Sequence, residues 1–506
     1  GARDRAVVVG GGPVGLAAAL VLARRGYDVS LCEATPAEEI KTFNPALAYL
    51  YNINARGQVF THMFPSIHEK LLARSVASSD TGYMLAPADP RREITFPNMG
   101  SGVGGTEESY WIPRHTMTAL LWEAVDEHNG ARTPHSGKID YEQGAACVGV
   151  APNKNGDTSI SVTIRDIVSG KEKTVGGTLV VGADGINSKV RQCLHDKAGR
   201  FDTWDYPAKK FRVRSWVSPA TGLRLKALQV PADRYTIRDA DESAAAAQNT
   251  NFIVVRSKGT GPRDTLSLGS LPVRASVAVR PANCIARPNH VLWTLKTGPQ
   301  VKQWFQDNFP RVEFDGLIAD EEWERFARAP GLAFPPCQYC PGLQASSPEG
   351  ACGVVLVGDA AHSFSPDIGQ GINAGLLDVV QLQEKLEGAA GPAADGATLG
   401  TALREYERVR APETRALIRI ARFGGPYQYN QPLYKDRLGK KLWTANVVLR
   451  LLLHKVTLGL FPKQMIFMVN KKELSYRQIA RRADLGTAGL LAVCALAIFK
   501  LLLRLN

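Results

Sequence analysis

A glycine-rich turn close to the start of the chain limits the possible folds more than any other feature. The segment "RAVVVGGGPVGLAAALVLARRGYDVSLCEA" has short apolar runs on either side of a longer run with the spacing of a helix. The predicted elements are a strand over 6–9, a G-x-G-x-x-G turn at Gly10, Gly12 and Gly15, a helix over 17–25 and a strand over 28–32. This order is typical of a Rossmann-like unit, whose turn brings a pyrophosphate close to the helix N-terminus.

Three further residues belong to this predicted nucleotide site. Pro13 and Val14 lie inside the turn, and Glu33 ends the second strand. A carboxylate at that strand end accepts hydrogen bonds from ribose hydroxyls and disfavours a 2′-phosphate. Either FAD or NAD fits these residues. Since the sequence contains no second unit of this kind, we expect one tightly held dinucleotide.

The positive charge of the chain is confined to its last fifth. Residues 401–506 hold 20 Lys and Arg against 6 Asp and Glu, whereas residues 1–400 hold 41 against 42. A protein that binds nucleic acid over its whole surface does not show this division, so nucleic acid is not an expected partner. A basic tail next to an anionic membrane is consistent with it.

Two more segments repeat the design of an apolar strand followed by a turn and a helix. They are "LVVGADGINSKVR", with Asp184 at its strand end, and "GVVLVGDAAHSFSPDIGQGINAG", with Gly358 and Asp359 at its strand end. Ligands of open α/β sheets bind at the carboxyl ends of the strands. Both aspartates are therefore predicted to lie at the same cofactor.

The three motifs together resemble the single-component flavoprotein aromatic hydroxylases, the family with the para-hydroxybenzoate hydroxylase fold. The kynurenine hydroxylases are the most similar branch, through "NINARGQVF", "YWIPRHTMTALL" and "YERVRAP". The resemblance implies a monooxygenase that uses FAD, NAD(P)H as a transient co-substrate and O₂. In such enzymes a flavin C4a-hydroperoxide hydroxylates or epoxidises a small aromatic or lipophilic substrate.

The resemblance also implies roles for residues of the third motif. Asp359 accepts a hydrogen bond from the ribityl chain, and Pro366 walls the reactive side of the flavin ring. Gly369 presents its backbone to the same ring, and the resemblance implies that Pro366 and Gly369 together form the catalytic position. The remaining residues implied to bind the cofactor are Arg114, Gly371, Ile372 and Asn373.

The implied fold class is α/β, with a Rossmann-like FAD-binding domain, an antiparallel-sheet substrate domain, a helical C-terminal region and a hydrophobic tail helix. Alternating segments such as "KKFRVRSWVSP", "NFIVVRSK", "SVAVR" and "HVLWTLKT" predict the strands of the substrate sheet. The predicted domains are a discontinuous FAD-binding domain (1–75, 105–200 and 340–400), a substrate domain (76–104 and 201–339), a basic helical region (401–476) and an anchor helix (477–506).

The sequence leaves the substrate open. Kynurenine hydroxylases hold the amino-acid carboxylate with an arginine and a tyrosine. In the corresponding segment Tyr83, Arg91 and Arg92 are available but do not match those positions, and Phe96 stands where the tyrosine is expected. A larger or less anionic substrate is at least as consistent. Two other functions remain open: an isoprenoid reductase or cyclase of the same fold, and a membrane-tethered flavoprotein assembly factor.

The C-terminal segment predicts membrane association. "LGTAGLLAVCALAIF", residues 485–499, carries no charge and continues to Leu503 with Lys500 near its end. A helix of that length spans about 28 Å, close to the roughly 30 Å of a hydrocarbon core. The preceding Leu-rich segment 447–461 contains basic residues and predicts an interfacial helix. We therefore expect contact with lipid of an organelle membrane, through a single-pass or monotopic anchor.

Overall fold

The computed structural model describes residues 4–40, 44–96, 107–153, 159–240, 250–259, 266–274, 276–389, 398–429 and 434–505. Its first large sheet has six strands and carries the predicted nucleotide unit. In spatial order these are Gln344–Ser346, Gly353–Leu356, Leu179–Gly182, Arg5–Val9, Asp28–Glu33 and Ile139–Gln143. All neighbours are parallel except the first pair. The Val and Leu runs of the central strands are fully buried, and Arg5 at one strand end is exposed.

A second six-stranded sheet forms the other half of the body. Its strands, in order, are Leu332–Ala333, Arg224–Pro231, Val279–Ala286, Ser267–Ser270, Phe252–Arg256 and Tyr83–Ala86. They are antiparallel apart from the last pair. An aromatic core of Phe305, Phe309, Phe314, Trp323 and Phe326 belongs to the same buried cluster. The predicted fold class is confirmed.

Three small sheets complete the β-structure. One consists of Ala145–Pro152, Ile160–Asp166 and Glu172–Gly177, the next of Arg214–Trp216, Cys337–Tyr339 and His362–Ser363, and the last of Leu50–Ile53, Tyr110–Pro113 and Val76–Ala77. The helices are Pro13–Arg24, Ala37–Ile40, Ala55–His62, Pro65–Arg74, Arg114–Gly130, Lys189–His195, Gly298–Asn308, Asp320–Arg328, Gly371–Ala389, Leu399–Phe423, Tyr434–Val456 and Tyr476–Leu505.

Two predicted elements differ from the structure. The first helix begins at Pro13 rather than at residue 17, because a proline at the first helical position fits the fixed φ of that site. The segment "HVLWTLKT" is not a strand. His290 accepts a hydrogen bond from the Leu292 backbone, Trp293 donates its indole N–H to the Arg287 carbonyl, and Val291–Trp293 forms a single 3₁₀ turn.

The C-terminal helices form a third buried cluster with the loop that follows His362–Ser363. The cluster includes Leu417 and Ile420 on one helix and Tyr476, Ile479 and Ala483 on the last helix. Within the described residues, Tyr476–Lys500 is the one helix that is long and apolar enough to cross a membrane. Its first two turns thus pack on the body, while its later apolar side chains are exposed.

Candidate functional site

The glycines of the first turn serve two different purposes. Gly10 has a φ of +105°, and a Cβ there would lie 2.4 Å from the Ala183 carbonyl oxygen. A Cβ at Gly15 would lie 1.8 Å from the Gly10 carbonyl oxygen. Gly12 instead has no atom within 4 Å of the Cβ position. Two glycines therefore allow close backbone packing, and Gly12 leaves bare backbone facing open space at the helix N-terminus.

Glu33 lies beside this turn and fixes its shape. Its carboxylate accepts hydrogen bonds from the backbone N–H groups of Gly11 at 2.5 Å and Thr35 at 2.8 Å. Gly11, Gly12 and Glu33 line a cavity of about 840 Å³. Helix Asp320–Arg328 of the second half closes the opposite side of that cavity. The nucleotide turn thus faces a cleft between the two halves.

Arg114 lines the same cavity at the start of its helix. It lies next to the hydroxyl groups of Tyr49 and Tyr51. Burial raises the pKa of Tyr51 well above its ordinary value, so its hydroxyl stays neutral. Arg114 is therefore a permanent cation beside the neutral hydroxyl of Tyr51, which suits contact with phosphate or ribityl oxygens.

The third motif packs directly against the first. Gly358 has a φ of +60°, and a Cβ there would lie 3.1 Å from Val14. A Cβ at Gly375 would lie 2.6 Å from the same side chain. Pro13 is buried at the start of the same helix. The Val14 side chain therefore packs where only glycines leave enough room. This contact holds the first and third motifs together at one cleft.

Asp359 follows immediately and has the environment of a ligand group. Protein surrounds it, yet its side chain reaches solvent and makes no hydrogen bond within the described parts of the chain. Burial raises the pKa of this carboxyl, an effect that His362 and Arg114 oppose. A carboxylate that is accessible to solvent and accepts no hydrogen bond from the described residues is suited to accept one from a bound hydroxyl.

A buried ionic network centred on Asp378 lies next to Asp359. Asp378 accepts hydrogen bonds from His362 Nε2 at 2.7 Å, Gly358 N at 2.9 Å and Arg410 Nε at 2.8 Å. Burial acts to raise the pKa of Asp378, but Arg410 and His362 lower it more, and the net pKa is below its ordinary value. His362 is fully enclosed in this network, so its position indicates a structural role.

The loop after Pro366 presents backbone with few side chains. Pro366–Ile368 forms a short turn that ends at Gly369, with a φ of +60°. Neither Gly369 nor Gly371 has an atom within 4 Å of its Cβ position. Gly371 also begins a helix of 19 residues, whose first N–H groups lack intrahelical acceptors. The loop therefore offers backbone N–H donors and no bulky side chains, which is what binding of a flat heterocycle requires.

Asn373 and Ile372 follow on that helix, but Asn373 does not offer its side chain to a ligand. Its amide donates to the carbonyls of Asn52 at 2.8 Å and Gly369 at 3.0 Å and accepts from the Asn54 backbone at 3.0 Å. Ile372 is buried. Asn373 therefore positions the Gly369 loop, and its side chain is not available to a cofactor.

The second motif joins the third through Arg191 and the first through Ala183, which lies against Gly10. Arg191 donates to the Ala360 carbonyl at 2.6 Å and to the Ile186 carbonyl at 2.7 Å. One oxygen of Asp184 accepts from the backbone of Lys189 at 2.6 Å, and the other is buried without a partner among the described residues. Burial raises the pKa of Asp184. An unpartnered buried carboxylate oxygen is unusual and calls for a donor that the described residues do not supply.

These features fit a dinucleotide that carries a flat ring. The cleft offers a bare turn at a helix N-terminus, a cation, two acceptor carboxylates and a glycine edge. Residues 132–421, more than half of the chain, match the family model described as FAD binding domain. The chain belongs to this FAD binding domain family. The predicted cofactor FAD is confirmed, with NAD(P)H as the co-substrate typical of such enzymes.

Relatives of this FAD binding domain protein include kynurenine 3-monooxygenases. The enzyme of Salinispora arenicola (strain CNS-205) is 27% identical over 437 residues, covering 82% of this chain and 78% of the relative. The Neurospora crassa enzyme is 26% identical over 443 residues, covering 83% and 77%. The predicted FAD-dependent monooxygenase is thus confirmed, and the reductase and assembly-factor alternatives are not favoured.

Solved structures of similar fold extend over nearly the whole chain. A variant of 2-methyl-3-hydroxypyridine-5-carboxylic acid oxygenase has a TM-score of 0.54 at 19% identity, covering 88% of this chain and 94% of its own. A variant of Klebsiella pneumoniae HpxO complexed with FAD has a TM-score of 0.54 at 17% identity, covering 87% and 94%. At such identities they establish the fold of this FAD binding domain protein.

Sequence reasoning did not identify several residues that shape the site. The clearest are Asp378 and Arg410 beneath Asp359, and Asn54, Arg56 and Gln370, which connect the glycine loop to the C-terminal segment. The segments "NINARGQVF" and "YERVRAP" contain three of these five residues. Both segments were identified in the sequence as family motifs. The spacing of their residues did not indicate which other residues the side chains contact.

Proposed function

We propose that this FAD-dependent monooxygenase hydroxylates a small, lipophilic aromatic substrate while held at a membrane by its C-terminal helix. The observation that supports the site is the meeting of three cofactor motifs at one cleft. The first and third meet through Val14, Gly358 and Gly375, and the second joins the third through Arg191. FAD supplies the redox chemistry, in which NAD(P)H provides two electrons, one atom of O₂ enters the substrate and the other leaves as water.

The side chains around the cleft bind and orient rather than exchange protons. Arg114 neutralises phosphate charge, Asp359 accepts a ribityl hydroxyl, and Gly12 gives the pyrophosphate access to the helix N-terminus. The N–H groups after Gly369 and Gly371 face the ring edge that gains negative charge on reduction. Pro366 lies beside them and excludes water from the reacting face.

We propose a neutral aromatic substrate because the available cations lie elsewhere. Arg91 is 90% exposed in its side chain and pairs with Asp89, and Arg92 is exposed. Tyr83 stacks on Phe252, with ring centroids 5.0 Å apart and planes at 12°. In the kynurenine hydroxylases the segment that corresponds to residues 83–96 holds the substrate carboxylate. In this protein residues 83–96 present aromatic rings instead.

A membrane location for the reaction is supported by the last helix. Tyr476–Lys500 is long and apolar enough to span a bilayer. Its exposed apolar side chains include Leu491, Val493 and Leu496, each at least 60% exposed. Monomeric soluble proteins do not leave a surface of that size uncovered. A membrane enzyme encounters lipophilic substrates at their highest local concentration.

The proposal is tested by NAD(P)H oxidation with purified, FAD-containing protein over two substrate sets. One set contains L-kynurenine and other aromatic amino acids, and the other contains neutral alkyl phenols and anilines. We expect faster oxidation with the neutral set, and a product heavier by one oxygen atom. Stimulation by the amino acids alone contradicts the substrate class. Oxidation that yields only hydrogen peroxide with every compound contradicts hydroxylation.

A further inference from the structure

A second large cavity lies at the base of the tail helix, away from the cofactor cleft. Its volume is about 1040 Å³, and it is bounded by helix Leu399–Phe423 and the first turns of helix Tyr476–Leu505. Tyr339, Pro341 and Ala416 form apolar parts of its wall. The cationic side chains that line it are Arg214, Arg415, Arg419, Arg477 and Arg481. We call this cavity the arginine groove.

The positive charge of the arginine groove is largely uncompensated. Asp484 is the acidic residue that lines it, and its carboxylate pairs with Arg419. Glu413 is nearby but buried, and it accepts from the Arg477 backbone N–H at 3.3 Å. Across the described ranges, the other four arginines have no ion pair, and all are exposed. Four guanidinium groups around one groove favour an anionic occupant.

The arginine groove lies next to the start of the exposed apolar segment of the tail helix. Glu413 lies opposite Arg477, and Arg419 lies opposite Asp484, so the two helices run side by side in the same direction. The exposed apolar segment starts at Leu485, which is 65% exposed. Arg477 and Arg481 precede it by eight and four residues, or about 12 and 6 Å along a helix. Headgroups occupy that depth above a hydrocarbon core.

Other apolar surfaces end at the same level. Phe423, at the end of the first groove helix, is 49% exposed. Helix Tyr434–Val456 contacts the tail helix where Arg450 donates to Thr487 at 2.7 Å. Its exposed apolar side chains are Leu438, Leu442, Val448, Leu449, Leu451, Leu452 and Val456. The groove is thus continuous with an apolar surface, which distinguishes a lipid from a free anion in solution.

We propose that the arginine groove binds the phosphate headgroup of an anionic phospholipid. Guanidinium groups remain charged at all relevant pH values and form paired hydrogen bonds to phosphate oxygens. The apolar wall around Tyr339 and Pro341 contacts the glycerol and the first acyl carbons. This inference rests on the membrane association proposed above. The bound lipid fixes the base of the tail helix against the body.

The test uses the full-length, FAD-containing protein in detergent, with phosphatidylglycerol or phosphatidylcholine added. Native mass spectrometry counts the lipids retained. The test variant is Arg415→Gln/Arg481→Gln. The matched control is Arg404→Gln/Arg482→Gln, which removes the same charge from the same helices outside the groove. We expect preferential retention of phosphatidylglycerol, weakened about tenfold or more in the test variant and preserved in the control.

Equal loss in both variants, or equal retention of both lipids, overturns the proposal. Displacement of phosphatidylglycerol by inorganic phosphate at similar concentration overturns it in favour of a free-anion site. A flotation experiment with lipid vesicles distinguishes the groove proposal from the membrane association on which it rests. If the protein fails to float with vesicles of any composition, the membrane association itself fails. If it floats but shows no dependence on Arg415 and Arg481, only the groove proposal fails.

Discussion

Tyr476 donates a hydrogen bond of 2.9 Å to Gln370, a residue 106 positions earlier in the chain. Gln370 lies between the two bare glycines of the cofactor loop, and its amide also donates to Asn470 at 2.7 Å. The Arg56 guanidinium lies 4.4 Å over the Tyr476 ring. The base of the tail helix and the edge of the cofactor cleft are therefore parts of one buried network.

Removal of that hydroxyl is expected to weaken the protein. In Tyr476→Phe the buried Gln370 carbonyl loses its donor, which costs about 1–3 kcal/mol in the free energy of unfolding. Denaturant unfolding followed by flavin and tryptophan fluorescence measures the change. Tyr141→Phe is the control, because that hydroxyl is exposed and bonds Asp126 at the surface. An unfolding free energy equal to that of the unaltered protein contradicts the importance of the network.

Asp359 is expected to retain the cofactor. Asp359→Ala removes a charge-assisted acceptor worth roughly 1.5–3 kcal/mol, which is about ten- to hundredfold in FAD affinity. Gel filtration followed by the ratio of flavin to protein absorbance reports occupancy. The exposed Asp205→Ala serves as the control. Full occupancy in Asp359→Ala would falsify the placement of this carboxylate at the ribityl chain.

Gly12 and Gly15 provide a matched pair at one turn. Gly12→Ala is expected to fold normally, since its Cβ meets no atom within 4 Å, but to bind FAD more weakly because the methyl group enters the cleft. Gly15→Ala is expected to prevent folding, since its Cβ would lie 1.8 Å from a backbone oxygen. Circular dichroism and FAD titration separate the two effects. Unaltered FAD affinity in Gly12→Ala contradicts the position of the pyrophosphate.

Local signals were sufficient to predict the first and third motifs, and the resemblance of those motifs to a known family then implied the fold class. Glycine spacing and apolar runs are properties of short segments, and they identified strands Arg5–Val9 and Gly353–Leu356 to within a residue or two. The same signals failed at Val291–Trp293, where alternation suggested a strand but a side-chain cap forms a turn.

The networks around the site depend on contacts between distant segments. Asp378 and Arg410 are 32 positions apart, and Asn373 and Asn54 are 319 positions apart. Nothing in the spacing of these residues indicates that they meet. For that reason the sequence predicted Asn373 as a cofactor ligand, whereas the structure shows its side chain bonded to protein backbone. The role of its backbone toward FAD stays a prediction.

Asp367 gives the protein an expected pH dependence. Burial raises the pKa of this carboxyl to about 7, and one of its oxygens has no partner within the described ranges. In the unfolded chain the pKa is about 4, so between about pH 4 and 7 the folded protein holds a proton that the unfolded chain has lost. The free energy of unfolding therefore falls as pH rises through that window.

Asp367→Asn removes this titration. It is expected to raise the free energy of unfolding by roughly 4 kcal/mol at about pH 8, and to change it little at about pH 4. Denaturant unfolding at a series of pH values gives the difference curve. Asp307→Asn, at an exposed helix position, is the control and should show no such slope. A difference that is independent of pH contradicts a buried, protonated Asp367.

Two shortened chains distinguish the anchor from the part of the tail helix that belongs to the core. A chain ending at Gly489 keeps the buried residues Tyr476, Ile479 and Ala483 and the Thr487 partner of Arg450. Among the residues it loses are the exposed apolar side chains of Leu491, Val493, Leu496, Ile498 and Phe499. We expect it to fold, to keep its yellow flavin colour and to move from the membrane fraction to the soluble fraction.

A chain ending at Tyr476 is expected to behave differently. It loses Ile479, which is fully buried, together with Ala480 and Ala483. Burial of one such aliphatic side chain contributes about 1.5–3 kcal/mol, and the Gln370 hydrogen bond then sits at a frayed chain end. This protein should unfold at lower denaturant and release FAD. Fractionation, flavin absorbance and unfolding midpoints compare the two chains. If the chain ending at Gly489 is colourless and aggregated, the exposed apolar helix is part of the core rather than an anchor.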